Sequence, residues 1–271
     1  MNPVQSAVSN RYSMGACLFA GLLAVSAVSS AHAATTLVDD QFNDGGLTNG
    51  ADPLDAAWSS QANSTPTLGA FNSTGNTSNA LIIDSTATFS GNQGQFTNAT
   101  PLAIGESITL SFDFRITNAA GNNDAGLRFG LSSSANTYAF TFGTGTTSGG
   151  NIVQFGANTV GGSNVIYTPS GASFAINNTA SHTFSLTITR TGGTSLSFLG
   201  SVDANTVSAV TSNSISNFTF NNIILGQGNT TNDFNIDNVL VSVIPEPSTY
   251  ATLAGLVALG LVAFKRSRTS R

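Results

Sequence analysis

The chain is short of nearly every side chain that performs chemistry. Its 271 residues include 1 Cys, 1 Trp and 2 His, and only 8% are charged. The lone cysteine, Cys17, lies in an apolar run near the N-terminus, so the remainder has no disulfide framework and no thiol chemistry. A zinc site needs several His or Cys ligands, which this sequence does not supply. Residues 34–244 contain no lysine, and their basic residues are Arg115, Arg128 and Arg190. Twelve carboxylates in the same stretch leave it at about −9, which excludes nucleic acid and anionic lipid as partners. His182 is the single histidine there, and no Gly-x-Ser-x-Gly elbow accompanies it. It opens an alternating run beside Ser181 and Thr183, where a solvent-facing position is expected.

What the chain has in quantity is Ser, Thr, Asn, Gly and phenylalanine. Sixteen phenylalanines lie between Phe42 and Phe234, enough apolar surface to offset the entropy of ordering so polar a chain. They recur with period two. Leu110, Phe112, Phe114 and Ile116 alternate with small or polar residues, as do Leu127, Phe129 and Leu131. Phe184, Leu186 and Ile188 repeat the pattern, followed by Leu196, Phe198, Gly200 and Val202. Phe218 and Phe220 lead toward Ile224, and Ile236, Val239, Val241 and Val243 close the series with a slip at Asp237-Asn238 that predicts a bulge. Thr191-Gly192-Gly193-Thr194 predicts a tight hairpin. No helical stripe of useful length interrupts. The expected fold is all-β, a two-sheet antiparallel jelly-roll sandwich over residues 34–244.

Both ends differ from this body. Residues 14–28 are apolar or small and lead to Ala31-His32-Ala33, the small-x-small pattern that signal peptidase cleaves, so 1–33 is expected to be a secretory signal peptide. Near the other end, Pro245-Glu246-Pro247 is expected to be stiff and exposed, because each proline fixes φ and lacks a donor. Residues 248–264 carry no charge and make a helix of roughly 25 Å. That is the short end of what crosses a bilayer core of roughly 30 Å. Lys265, Arg266, Arg268 and Arg271 follow as a membrane stop that places the tail in the cytoplasm and the body outside.

This order of motif, span and basic tail resembles the PEP-CTERM sorting signal of Gram-negative, biofilm-forming bacteria, over residues 243–268. The resemblance implies an exosortase that cleaves near Pro245-Glu246-Pro247, a transient inner-membrane anchor, and a final place at the cell surface or outside the cell. It gives an address and no activity. Within the body, Val38-Asp39-Asp40-Gln41-Phe42, the strand at 107–117, the hairpin at 182–203 and the closing 234–239 resemble the concanavalin A-like, or laminin G-like, jelly roll. That resemblance implies that the first and last strands are neighbours.

Glycoside hydrolysis is the one enzymatic candidate, since β-glucanases share that fold. The strand Ser111-Phe112-Asp113-Phe114-Arg115 presents one carboxylate where the mechanism needs two. Glu106, the one glutamate in 34–244, stands in the turn before it. Asp113 and Arg115, with Arg128 on a neighbouring strand, are expected to form a surface ion pair. Calcium is the cofactor that the residue types allow. Asp39 and Asp40 on the first strand and Asp237 with Asn238 on the last would supply hard oxygen ligands if the strands meet. Glycan binding calls for exposed aromatic faces, for which the body offers only Trp58, Tyr138 and Tyr167. Trp58 is expected at the edge of the core rather than as a platform. The sequence therefore favours an exported, non-enzymatic structural or adhesive protein. A lectin-like module that binds extracellular polysaccharide is the alternative.

Overall fold

A computed structural model describes residues 33–48, 54–71, 79–84, 90–97, 99–117, 127–132, 136–142, 153–159, 165–167, 170–171, 179–210, 216–227 and 233–246. The predicted signal peptide and the membrane span at 248–264 lie outside them. Among the described residues no helix is long and apolar enough to cross a membrane. One compact unit runs from Ala34–Glu246.

Its strands form two sheets in which every pairing is antiparallel. The nine-stranded sheet holds β1 (Thr35–Asp40), β3 (Thr67–Ala70), β4 (Asn79–Ile83), β6 (Ser107–Ile116), β11 (Ser170–Gly171), β12 (Ser181–Arg190), β13 (Leu196–Val202), β14 (Asn205–Val210) and β16 (Phe234–Ile244). The seven-stranded sheet holds β2 (Ala57–Ala62), β5 (Ser90–Gln95), β7 (Leu127–Ser132), β8 (Asn136–Phe142), β9 (Val153–Thr159), β10 (Val165–Tyr167) and β15 (Asn222–Gln227). The larger sheet runs β11-β14-β13-β12-β6-β16-β4-β3, with β1 also on β16. The smaller runs β10-β9-β8-β7-β15-β5-β2.

The period-two residues become the core. β6 alternates half-buried and buried along its whole length, and Leu110, Phe112, Phe114 and Ile116 are at most 2% exposed. Phe129 of β7 joins the sheets. Its ring lies 5.1 Å from Phe112, 5.2 Å from Phe114, 5.3 Å from Phe184 and 5.5 Å from Phe234, four rings of the opposite sheet. The hairpin between β12 and β13 forms as expected, with Arg190 opposite Leu196. The register of β16 on β6 shifts between Asp237 and Leu240, and Asn238 takes φ 54°, so the predicted bulge is there. One phase differs from expectation. Phe218 and Phe220 are buried in an irregular segment, and β15 then turns Ile223 and Leu225 into the core cluster instead of Ile224. An irregular stretch carries no fixed period, so the alternation restarts after it.

β5 is a strand without a single apolar side chain, Ser-Gly-Asn-Gln-Gly-Gln, yet it lies between β15 and β2. Gly94 explains why. A methyl group there would come within 3.0 Å of the Trp58 ring, so the glycine makes the space in which the indole is buried.

Candidate functional site

β1 lies beside β16, with Asp39 opposite Leu240 and Asp40 opposite Val239. First and last strands are therefore neighbours, but the four expected calcium ligands do not form one set. Asp40 follows Val38 in phase, points inward and is 2% exposed. Its Oδ2 accepts the Trp58 Nε1–H at 2.7 Å and the Ala56 N–H at 3.3 Å, while Oδ1 accepts the Phe42 N–H at 3.1 Å. Burial pushes the Asp40 carboxyl above the usual aspartate range, against the lowering effect of these hydrogen bonds. Asp39 is exposed and accepts from Gln41. Asp237 has the outward phase of β16 but is covered there and only 5% exposed, and its Oδ1 accepts the Asn238 N–H. Among the described residues no group of three or more His, Cys, Asp or Glu side chains is placed to hold a metal. A carboxylate saturated by N–H donors is a poor ligand, so Asp40 belongs to the core. Excess chelator is expected to leave the melting temperature unchanged, and a drop on chelation would restore the calcium set.

Trp58, a candidate glycan contact, is corrected by the same geometry. It is 6% exposed, hydrogen-bonded to Asp40 and packed at 5.9 Å on the Phe42 ring. It cannot stack on a sugar. Tyr138 and Tyr167 lie on β8 and β10, whose side chains are outside the described ones.

Two further expectations are corrected. His182 does not face solvent: it is 12% exposed, with its ring 5.5 Å from Phe114 and its Nδ1 2.7 Å from Asp203 Oδ2. Because His182 lies opposite Phe114 on β6, it shares the inward phase. Asp203, in the β13–β14 turn at φ 52°, also accepts the Thr183 N–H at 3.0 Å. Burial would raise the Asp203 carboxyl, but its hydrogen bonds from His182 and Thr183 and the His182 charge bring it below the usual range. The Asp113–Arg115 ion pair does not form. Asp113 accepts Thr183 Oγ1–H at 2.8 Å and Asn238 Nδ2–H at 2.9 Å, while Arg115 Nε–H donates to the Thr179 carbonyl. Strand neighbours one apart in phase point the same way but lie too far along the strand, so cross-strand partners win.

These contacts belong to a larger surface that the sequence did not single out. The outward residues of β13, β12, β6 and β16 line up in rows across the sheet. Ser197, Thr189, Ser107 and Ile244 form one row, and Leu199, Thr187, Thr109 and Ser242 the next. Ser201, Ser185, Ser111 and Leu240 form a third, followed by Thr183, Asp113 and Asp237 and then by Ser181, Arg115 and Asn235, where Asp237 and Asn235 are covered and buried. Hydroxyls pair across strands, Ser107 Oγ with Thr189 Oγ1 at 2.8 Å and Thr109 Oγ1 with Thr187 Oγ1 at 3.0 Å. Strands lie about 4.8 Å apart and same-face neighbours about 6.6 Å apart along each strand, so the face is a regular lattice of hydroxyls. Leu199 and Leu240 stand exposed within it. Along these rows charge enters at one end, where Asp113 and Asp237 are followed by Arg115.

Among the described residues, Glu106 and the Asp84–Asp233 pair have partners of their own. Glu106 Oε2 accepts the Ala103 N–H at 2.7 Å. Asp84 and Asp233 share a hydrogen bond, and the Asp233 charge raises the Asp84 carboxyl, with burial adding to it. Direct contact leaves no room between them for the water or glycosidic bond that glycoside hydrolysis requires.

No family model and no characterised protein sequence matches the chain. Solved structures to which it is similar include the carbohydrate recognition domain of Emp47p, at 13% identity over 80% of this chain and 99% of that one, TM-score 0.47. The T. cruzi calreticulin globular domain is similar at 11% identity, covering 88% and 100%, TM-score 0.47. Lectin I from Ulex europaeus, in complex with the methyl glycoside of alpha-L-fucose, is similar at 11% identity, covering 78% and 97%, TM-score 0.43. At these identities and TM-scores the likenesses carry no argument about ligand.

Proposed function

We propose that this chain is an exported, non-catalytic protein of the bacterial surface or extracellular matrix, and that its jelly-roll body is a lectin-like module for neutral polysaccharide. The observation that carries this reading is the hydroxyl lattice on the outer face of the nine-stranded sheet. A hydroxyl both donates and accepts, as every sugar hydroxyl does, so a lattice of them matches a polyol in any local orientation. Leu199 and Leu240 offer apolar contact to the C–H faces of a sugar ring. The acidic net charge of the body opposes anionic polymers and leaves neutral ones. Export rests on the signal-peptide pattern and on the sorting-signal resemblance at Pro245-Glu246-Pro247, with signal peptidase and exosortase as transient partners.

Replacing Thr109 and Thr187 together by valine tests the surface. Valine keeps the volume and the strand preference of threonine and removes only the hydroxyls. Each lost hydrogen bond is worth about 0.5–1.5 kcal/mol, so the pair is expected to weaken binding about tenfold. The measurement is retention on a panel of immobilised neutral and anionic polysaccharides, with thermal unfolding as the control. Binding that survives the double substitution, or that prefers anionic polymers, would refute the site. Failure to bind any polysaccharide would leave the body as a structural or adhesive unit.

A further inference from the structure

β16 pairs with β6 up to Ile244 opposite Ser107. Beyond that pair the two chains continue past each other, so Pro245 and Glu246 run alongside the turn Ile104-Gly105-Glu106. Proline has no N–H to extend the ladder. The segment is nevertheless not exposed as the sequence suggests: Pro245 and Glu246 are both half-buried. The Glu246 side chain lies directly over Gly105. A methyl group built on Gly105 would sit 2.7 Å from Glu246 Cγ and Cδ and 3.0 Å from Oε1. Gly105 takes φ 91°, a backbone that other residues rarely adopt, so glycine here serves both the turn and the contact.

The turn under Glu246 is firmly pinned. Gly105 N–H donates to the Arg190 carbonyl at 2.7 Å, and Arg190 N–H donates to the Glu106 carbonyl at 3.0 Å. Arg190 Nη1–H reaches the Leu102 carbonyl at 2.7 Å, and the guanidinium lies 3.8 Å from the Phe218 ring centre. A rigid notch thus meets the flexible side chain of the motif's central residue. We infer that Gly105 is the floor of a notch whose occupant is the chain's own Glu246, an intramolecular latch that holds Pro245-Glu246 on the folded body and keeps a processing enzyme from the motif until it opens. A protease or transpeptidase must draw the segment away from the body into its own cleft, which the seating of the Glu246 side chain on Gly105 opposes. The latch stands on the geometry alone, while its guarding role rests on the proposed processing at this motif.

The test uses the full chain in membranes of an exosortase-bearing host, with Cys17→Ser as background so that no native thiol remains. Gly105→Cys with Glu246→Cys should form a disulfide on mild oxidation, since such a bond needs the two Cβ atoms only roughly 3.5–4.5 Å apart. Gly193→Cys with Glu246→Cys should stay reduced, because nothing lies within 4 Å of a side chain at Gly193. Gly105→Asn leaves the motif intact and fills the notch, and among residues with a side chain Asn is one of those least strained at positive φ. It should speed trimming about threefold or more by shifting the segment to its free state, with Trp58 fluorescence showing that the body is folded. Failure of the 105–246 disulfide in folded protein would overturn the latch. A disulfide together with parental trimming rates in Gly105→Asn would overturn the guarding role. A parent chain that is never trimmed would remove the processing reading and the guarding role with it, and the disulfide would still decide the latch.

Discussion

Phe129→Ala should lower unfolding stability by about 3–5 kcal/mol, the range for emptying a buried phenylalanine site. In a body of this size that corresponds to a fall in melting temperature of roughly 6–20 °C. Phe129 is 0% exposed and is the ring of the smaller sheet that meets Phe112, Phe114, Phe184 and Phe234 of the larger one. Deleting it removes four edge or tilted ring contacts at once. The cavity would be lined by rings already fixed on β6, β12 and β16, which limits collapse into the space. Leu199→Ala is the matched control, because Leu199 is 51% exposed and should change stability by less than about 0.5 kcal/mol. Denaturant unfolding of the two variants decides the matter. Equal losses would mean that the sheets are not joined through Phe129.

Asp40→Ala should be nearly as severe, by a different mechanism. It leaves the Trp58 Nε1–H, the Ala56 N–H and the Phe42 N–H facing a methyl group in the interior. An unsatisfied buried donor costs about 1–3 kcal/mol, and relief of the buried charge offsets part of the sum, so a net loss of about 2–4 kcal/mol is expected. Asp40→Asn should also destabilise, since one amide edge presents N–H to N–H. Trp58 is the one tryptophan, so its fluorescence reports the site directly and should shift to longer wavelength as the indole loses its partner. The pH dependence has a defined sign. The folded Asp40 carboxyl lies above its unfolded value, so the native state binds more protons between the two. Its contribution therefore increases stability as pH falls through that window, and Asp40→Asn should abolish this increase. Asp203 acts oppositely. Its folded value is lowered, so its contribution is present above the unfolded value and lost as pH falls through the folded one. An Asp40→Asn profile identical in shape to the parent's would show that Asp40 does not titrate as described.

The lattice of hydroxyls and the Asp40–Trp58 bond were both unreadable as sites, for related reasons. Ser185, Thr187, Ser107 and Thr109 read as the polar half of two alternating strands, which is what any surface strand shows. Only the register of β12 on β6 turns them into rows. Asp40 reads as one of two adjacent aspartates and invites a metal. Its inward phase was concealed by a register shift between Thr36 and Val38 in a strand too short to display a period. Glu246 reads as the polar centre of a linker. Its place over Gly105 follows from Ile244 lying opposite Ser107, a pairing across more than half the chain.

The sequence by itself determined the body's class, its strand phases on β6, β7, β12 and β13, the hairpin at Thr191–Thr194 and the bulge at Asp237-Asn238. Each of these is written in local alternation, because burial of one strand face requires apolar residues at every second position. Tertiary structure alone decided that glycine-rich β5 is an inner strand, that Asp40 caps Trp58, that His182 meets Asp203, and that Glu246 rests on Gly105. Those polar pairings cost or gain energy according to which strands become neighbours. Neighbourhood is settled by how two sheets share one core, and no stretch of sequence carries that information locally.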